Sequence, residues 1–206
     1  SFNEPEEDIS TEITLLTGIE NKMVDGKFID WNEVDALFQG VDIIIAHNAS
    51  FDRAFIDKFS SNSPSKIWAC SISDIDWLER GFTSSKQELL CYWHGFYFDA
   101  HRAMNDVDAL IHLLTFDTGL ERPLLELIKN SNKSEFVIYA EHFKYDPVKK
   151  DILKGNKYRW NPNDKIWFKK VNLDELEHEK DWLTATIYDQ VFKGRVEEII
   201  PSNKYK

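Results

Sequence analysis

The run Val41-Asp42-Ile43-Ile44-Ile45-Ala46 constrains this chain more than any other segment. Three consecutive isoleucines leave no polar face for solvent, so the run reads as a strand buried on both faces of a largely parallel sheet. In open α/β sheets, ligands sit in the crevice outside the carboxyl ends of the strands. His47, Asn48, Ala49, Ser50, Phe51 and Asp52 follow directly. That order puts Asp52 at the rim of the crevice, opening a helix predicted from Phe51 to Phe59. A plainer use of the same residues is a helix cap by Asn48 or Ser50, with Asp52 in the first turn beside the positive end of the dipole.

A second run, His101-Arg102-Ala103-Met104-Asn105-Asp106, opens another helix. Ala103, Val107, Leu110 and Leu114 fall at spacings of four, three and four, which predicts one apolar stripe on a helix from Arg102 to Thr115. Asp106 borders that stripe. His101 lies five residues earlier, roughly 140° around a helix, so the two side chains converge only if His101 stands in the loop before it. Phe96-Tyr97-Phe98-Asp99 reads as such an approach, after Gly95 closes a helix from Lys86 to His94. A histidine on a loop, with an ordinary pKa near ~6.5, suits a general base at neutral pH. Carboxylates at the edges of apolar elements, together with that histidine, are the equipment of metal-assisted phosphodiester hydrolysis.

At these residues the chain resembles the DEDDh group of 3′-to-5′ exonucleases, which includes RNase T and the proofreading subunit of bacterial DNA polymerase III. His47, Asn48, Phe51 and Asp52 match the second motif of that family, and His101 and Asp106 match the third. The stretch Ile9 to Ile19 is similar to the segment that follows the first three strands in many members, and the resemblance covers residues 2–117. It implies an RNase H-like fold and two divalent metals, Mg²⁺ or Mn²⁺, acting on the 3′ ends of single-stranded DNA or RNA. It also implies Asp52 and Asp106 as metal ligands and His101 as the base that activates water. Phe51 would then neighbour the terminal nucleotide, while His47 and Asn48 stand on the substrate side and shape the strand end.

One motif is missing. The family carries an Asp-x-Glu on its first strand, and none precedes Asp52 on a strand here. Glu4, Glu6, Glu7 and Asp8 form a proline-interrupted loop, and Asp74-Ile75-Asp76 comes in the wrong order. Asp52 and Asp106 supply two negative charges against the four positive charges of a two-metal clamp. The expectation is an exonuclease domain whose N-terminal strands, with the first-motif carboxylates, lie outside this chain, leaving Val41–Ala46 with an unpaired side. The chain by itself would then be weak or inactive. A different class also fits: a catalytically silent module on the same scaffold that binds nucleic acid or protein.

The 206 residues allow one such domain, 1–130, and a small basic and aromatic α/β accessory module, 135–206, joined by the polar stretch Asn130 to Ser134. The net charge of −11 excludes a general nucleic-acid coating protein. Charge is uneven, however: from Lys133 to Lys170 there are ten Lys or Arg against five Asp or Glu, a local balance of +5. The module reads as a strand at Phe136–Ala140 and a basic helix from Pro147 stopped by Gly155. A strand–turn–strand from Tyr158 to Lys170 follows, then a helix opened by Asn172 and Glu175 in capping-box spacing, with Leu173, Leu176, Leu183 and Ile187 on its apolar face. Its Arg-Trp-Asn…Lys-x-Trp hairpin is similar to small domains attached to nucleic-acid enzymes, which makes a polymerase or similar enzyme a candidate partner. Trp167, Arg159 and Lys169 are candidates for a platform that stacks single-stranded bases. The alternative places the large aromatics in the core of a small domain; Ile166 and Phe168 in particular are expected to face inward. Cys70 and Cys91 lack metal spacing and read as core thiols of a cytoplasmic protein. No apolar run approaches the ~18 residues of a membrane span.

Overall fold

Ile43–Ala46 does form a strand, but its surroundings differ from the expectation. The computed structural model describes every residue except His101, Asp117, Thr118, Leu120 and Asp189. It divides into a first unit of Ser1–Ser131 with Tyr205–Lys206, and a second of Asn132–Lys204. The first unit runs α1 (Thr11–Thr17), α2 (Asn21–Val24), α3 (Trp31–Gln39), β1 (Ile43–Ala46), α4 (Ala49–Ile56), β2 (Ile67–Cys70), α5 (Gln87–Trp93), α6 (Ala103–Thr115) and α7 (Pro123–Ser131). Strands β1 and β2 are parallel, with Ile43 opposite Ile67 and Ala46 opposite Cys70. Among the described residues β1 pairs on one edge only. All four of its residues are therefore half-buried, whereas Trp68, Ala69 and Cys70 of β2 are buried.

Alternation along β2 divides the packing between its two faces. Ala69 joins Ile75, Trp77, Leu90, Cys91, Leu113 and Leu127 in the core built with α5, α6 and α7. Trp68 and Cys70 pack with Ala49 of α4, and Tyr205 near the end of the chain adds to that cluster. Both cysteines are buried and free, and burial pushes the Cys91 thiol up to about 12, so it is an inert core group. Helix α3 is clipped to the loop after α4 by Asp35. Its carboxylate accepts from the Ser60 hydroxyl at 2.5 Å, the Ser61 hydroxyl at 2.6 Å and the Ser61 backbone at 3.1 Å. Trp31 stacks on Phe59, 4.9 Å between ring centres, and closes the same junction.

The second unit is a βαββαβ module: β3 (Glu135–Ala140), α8 (Pro147–Gly155), β4 (Arg159–Asn161), β5 (Ile166–Val171), α9 (Leu173–Thr186) and β6 (Arg195–Ile199). Its sheet order is β4-β5-β3-β6, antiparallel throughout. Ile138 and Ala140 of β3 and Trp167 and Val171 of β5 pack with Leu153, Tyr158, Leu183 and Ile187 in its core. Three expectations are corrected here. Trp167 is the inward residue, 8 % exposed, while Ile166 and Phe168 stand half-buried on the other face. Leu173 is 67 % exposed, and the inward face of α9 carries Glu179 instead. Helix α8 continues through Gly155, and the left-handed residue that turns the chain is Lys157, with φ 66°.

Glu179 explains the first two corrections. Its carboxylate accepts from Lys169 Nζ at 2.6 Å and from Asn156 Nδ2 at 2.8 Å, so β5, the end of α8 and α9 meet at one buried charge. With Lys169 drawn to that side, alternation carries Trp167 and Val171 inward as well. Among the described residues no helix is long and apolar enough to cross a membrane.

Two predictions follow from these clips. Removing one partner of a buried ion pair strands the other, so Lys169→Ala is expected to lower stability by about 2–4 kcal/mol in urea unfolding. The double variant Lys169→Met/Glu179→Leu should recover most of that loss. Hydrogen bonds from the serines hold the Asp35 carboxyl at about 2, below its ordinary 3.8. The stability this contributes is present above pH 3.8 and is lost as pH falls toward 2. Asp35→Asn should therefore flatten the melting temperature against pH in that window.

Candidate functional site

Strand β1 ends at Ala46, and Asn48 turns the chain into α4 with φ 70° and ψ 54°. A left-handed residue is costly for most side chains and tolerated by Asn, which is why Asn fits this corner. Its side chain makes no capping bond, so the cap expectation does not hold for Asn48, and α4 starts at Ala49 rather than Phe51. The tight corner brings the Ala49 N–H to 3.4 Å from Cys70 Sγ at the end of β2.

Ala49, Asp52, Arg53 and Ile56 then form the inward stripe of α4. Ala49 and Arg53 are fully buried and Asp52 is half-buried, while Phe51 is 74 % exposed beside them. Arg53 does not serve Asp52. Its guanidinium donates to Asp57 at 3.1 Å and to the Pro64 carbonyl at 3.2 Å, and lies 6.0 Å from the Trp68 ring centre. Burial raises the Asp52 carboxyl above its ordinary 3.8, against a smaller opposing effect from its own backbone N–H. Among the described residues Asp52 has no cationic partner.

Helix α6 carries the second carboxylate inward. Its buried face is Ala109, Leu110, Leu113 and Leu114, and Asp106 extends that face at its N-terminal end, half-buried. Leu110 and Leu114 are where the expected stripe placed them. Ala103 is exposed and Val107 is 47 % exposed, so the stripe is turned, and Asp106 lies on it rather than at its border. Gln87 fixes the first turn by donating to the Asp106 carbonyl at 2.5 Å. Arg102, just before the helix, covers Gly18 at the end of α1, where an added Cβ would stand 2.7 Å from its Nη2. This ties the start of α6 to the segment Ile9–Ile19.

His47 joins the two strand ends. Its Nδ1 is 2.7 Å from the Ser71 hydroxyl, and the Ser71 N–H extends the β1–β2 ladder by donating to the Ala46 carbonyl at 3.0 Å. Burial lowers the imidazole below 6.5, and the charge of Asp106 opposes it without overcoming it. Burial thus favours the neutral imidazole, and Asp106 lies within electrostatic range of it. Ser71 and Gln87 were not legible as site residues. Neither belongs to a charge pattern, and only the place of Ser71 at a strand end could have drawn attention to it.

His101, the expected base, lies outside the described residues. Asp74 caps the end of β2, accepting from the Cys70 N–H at 2.8 Å, and is a turn residue. In the second unit Trp167 is core and Lys169 is held by Glu179, so neither is available as a stacking platform; Arg159 is exposed. Among the described residues no three His, Cys, Asp or Glu side chains come together as a metal site. The half-buried Asp52, with no cation beside it, fits as a ligand of one divalent ion, and Asp106 fits as a second. A two-metal clamp needs carboxylates beyond these two.

The two shifted groups set opposite pH responses. His47 titrates lower in the folded chain, so stability is full above ~6.5 and falls as pH drops through that value; His47→Gln should remove that slope of melting temperature against pH. Asp52 titrates higher when folded, so its burial disfavours folding as pH rises past 3.8. Asp52→Asn is expected to raise the melting temperature at pH 7, without divalent ions, by about 1–3 °C. Compared with known proteins, the chain matches no family model, no curated protein and no solved structure.

Proposed function

We propose that the first unit carries the second and third motifs of a metal-dependent 3′-to-5′ exonuclease of the DEDDh type, on an RNase H-like scaffold. One observation carries this reading. Two helices each set a first-turn carboxylate on the inward stripe, where an apolar residue would pack, at the carboxyl end of two parallel strands. Asp52, half-buried with no cation among the described residues, lowers stability unless its site binds one. Asp52 and Asp106 would hold a divalent ion, which when bound neutralises charge on a phosphodiester and lowers the pKa of water.

The other residues have positioning work in this reading. His47 is held by Ser71 within electrostatic range of Asp106, and its neutral form adds no positive charge that would repel an ion. Exposed Phe51, one residue before Asp52, is placed to stack on a terminal base. His101 keeps the role of general base. The rival reading, a silent binding module, is favoured by the lack of three convergent ligands among the described residues.

Cleavage separates the two. With 5′-labelled single-stranded DNA or RNA and Mn²⁺, stepwise shortening from the 3′ end is expected, slow because two carboxylates hold the ion weakly. It should be lost with EDTA and in Asp106→Ala. Shortening that survives both controls contradicts the exonuclease reading, and no shortening favours the silent module on the same scaffold.

A further inference from the structure

The second unit keeps both helices on one face of its sheet, and the opposite face carries a row of aromatic and basic side chains. Direct pairing in the ladders puts Arg159 of β4 opposite Phe168 of β5, Phe168 opposite Tyr139 of β3, and Tyr139 opposite Arg195 of β6. Directly opposed residues share a face. A single rung therefore reads Arg–Phe–Tyr–Arg across all four strands, about 14 Å long at ~4.8 Å per strand. Phe168 and Tyr139 are half-buried, and Arg159 and Arg195 are exposed. The next rung along the strands reads Lys170, Val137 and Glu197, with Val137 as a buried floor.

We propose that this face binds single-stranded nucleic acid, with bases stacked on Phe168 and Tyr139 and phosphates held by Arg159 and Arg195. The two rings are neighbours on the central strands, where bases of a single strand can lie flat side by side. Each is flanked on its outer side by a guanidinium, the group that combines phosphate binding with stacking. Arg195 already shows the stacking half of that role: its Cζ lies 3.9 Å from the Tyr139 ring centre. Arg159 has no ion pair among the described residues. Acidic groups on this side are tied up locally. Glu197 accepts from the Tyr139 hydroxyl and from Arg195 Nη1, each at 3.1 Å, and Glu135 pairs with the buried Lys204 at 3.3 Å and with Lys170 at 3.4 Å. Glu197, with Glu141 at 3.7 Å from Arg195 Nε, thus holds Arg195 over the ring and competes with phosphate for it. This site replaces the expected platform: the stacking rings stand on the face that Trp167 and Lys169 leave. The inference rests on the second unit alone and not on the cleavage reading.

Fluorescence anisotropy of labelled dT12 and rU12 with the full chain in EDTA tests it, because cleavage is silent there. Binding is expected to weaken with salt. Phe168→Leu and Tyr139→Leu should each weaken it at least about fivefold. Arg159→Gln should reduce the salt slope by about one. Glu197→Gln should tighten binding by removing the nearer of the two carboxylates that hold Arg195. Melting curves check that the leucine variants remain folded; if either does not, Arg159→Gln and Glu197→Gln, which alter only exposed groups, decide the matter. A preference for rU12 over dT12, or the reverse, identifies the strand type. No binding by the parent chain, or binding that these variants leave unchanged, overturns the proposal.

Discussion

Because Ala46 pairs with Cys70 at the carboxyl end of two parallel strands, the chain leaves the sheet twice at the same level. His47 and Ser71 emerge side by side there, close enough to bond at 2.7 Å. The left-handed corner at Asn48 then starts α4 at once, so Asp52 reaches only the first turn before the stripe becomes apolar. Helix α6 arrives at the same end with Asp106 leading its buried face and is felt by His47. Without the parallel register these side chains would belong to separate pieces of surface. A slip of one residue would turn Trp68 and Ala69 to the wrong faces and separate His47 from Ser71.

The misplaced faces of α6, β5 and α9 share one physical reason. Hydrophobic periodicity assigns charged residues to solvent, and in these three elements a charge sits on the inward face where an apolar residue is expected. Asp106 leads the stripe of α6, so the apolar but exposed Ala103 and Val107 looked like its continuation. Lys169 lies on the inward face of β5, so Trp167 seemed to share an outer face with it. Glu179 occupies the middle of the inward face of α9, and Leu173, which the apolar spacing assigns to that face, is exposed. The apolar run at Ile43–Ile45 and the strand at 67–70 are legible because no charge interrupts them, and the helices near Asp52 and Asp106 are legible although Asp52, Arg53 and Asp106 lie on their inward faces. Strand β6, Arg195–Ile199, is half charged and offered no such pattern.

The inward charges are of two kinds. Lys169 and Glu179 neutralise one another at 2.6 Å and hold three elements of the second unit together. Asp52 has no counter-charge among the described residues, and burial raises its carboxyl. A neutralised inward pair is ordinary architecture, whereas an inward carboxylate without a cation weakens the fold unless something binds there. By that distinction the first unit holds a candidate cation site and the second an internal clip. The nucleic-acid face proposed for the second unit lies on the side of its sheet away from that clip.

The most direct measurement is a titration of Mn²⁺ into the chain, followed by calorimetry, with Asp52→Asn, Asp106→Asn and the double variant alongside. If the two carboxylates share one ion, the parent binds one equivalent near its site, each single variant loses most of the affinity, and the double variant loses little more. Losses that add independently, or binding that neither variant alters, would mean that Asp52 and Asp106 do not form a common site.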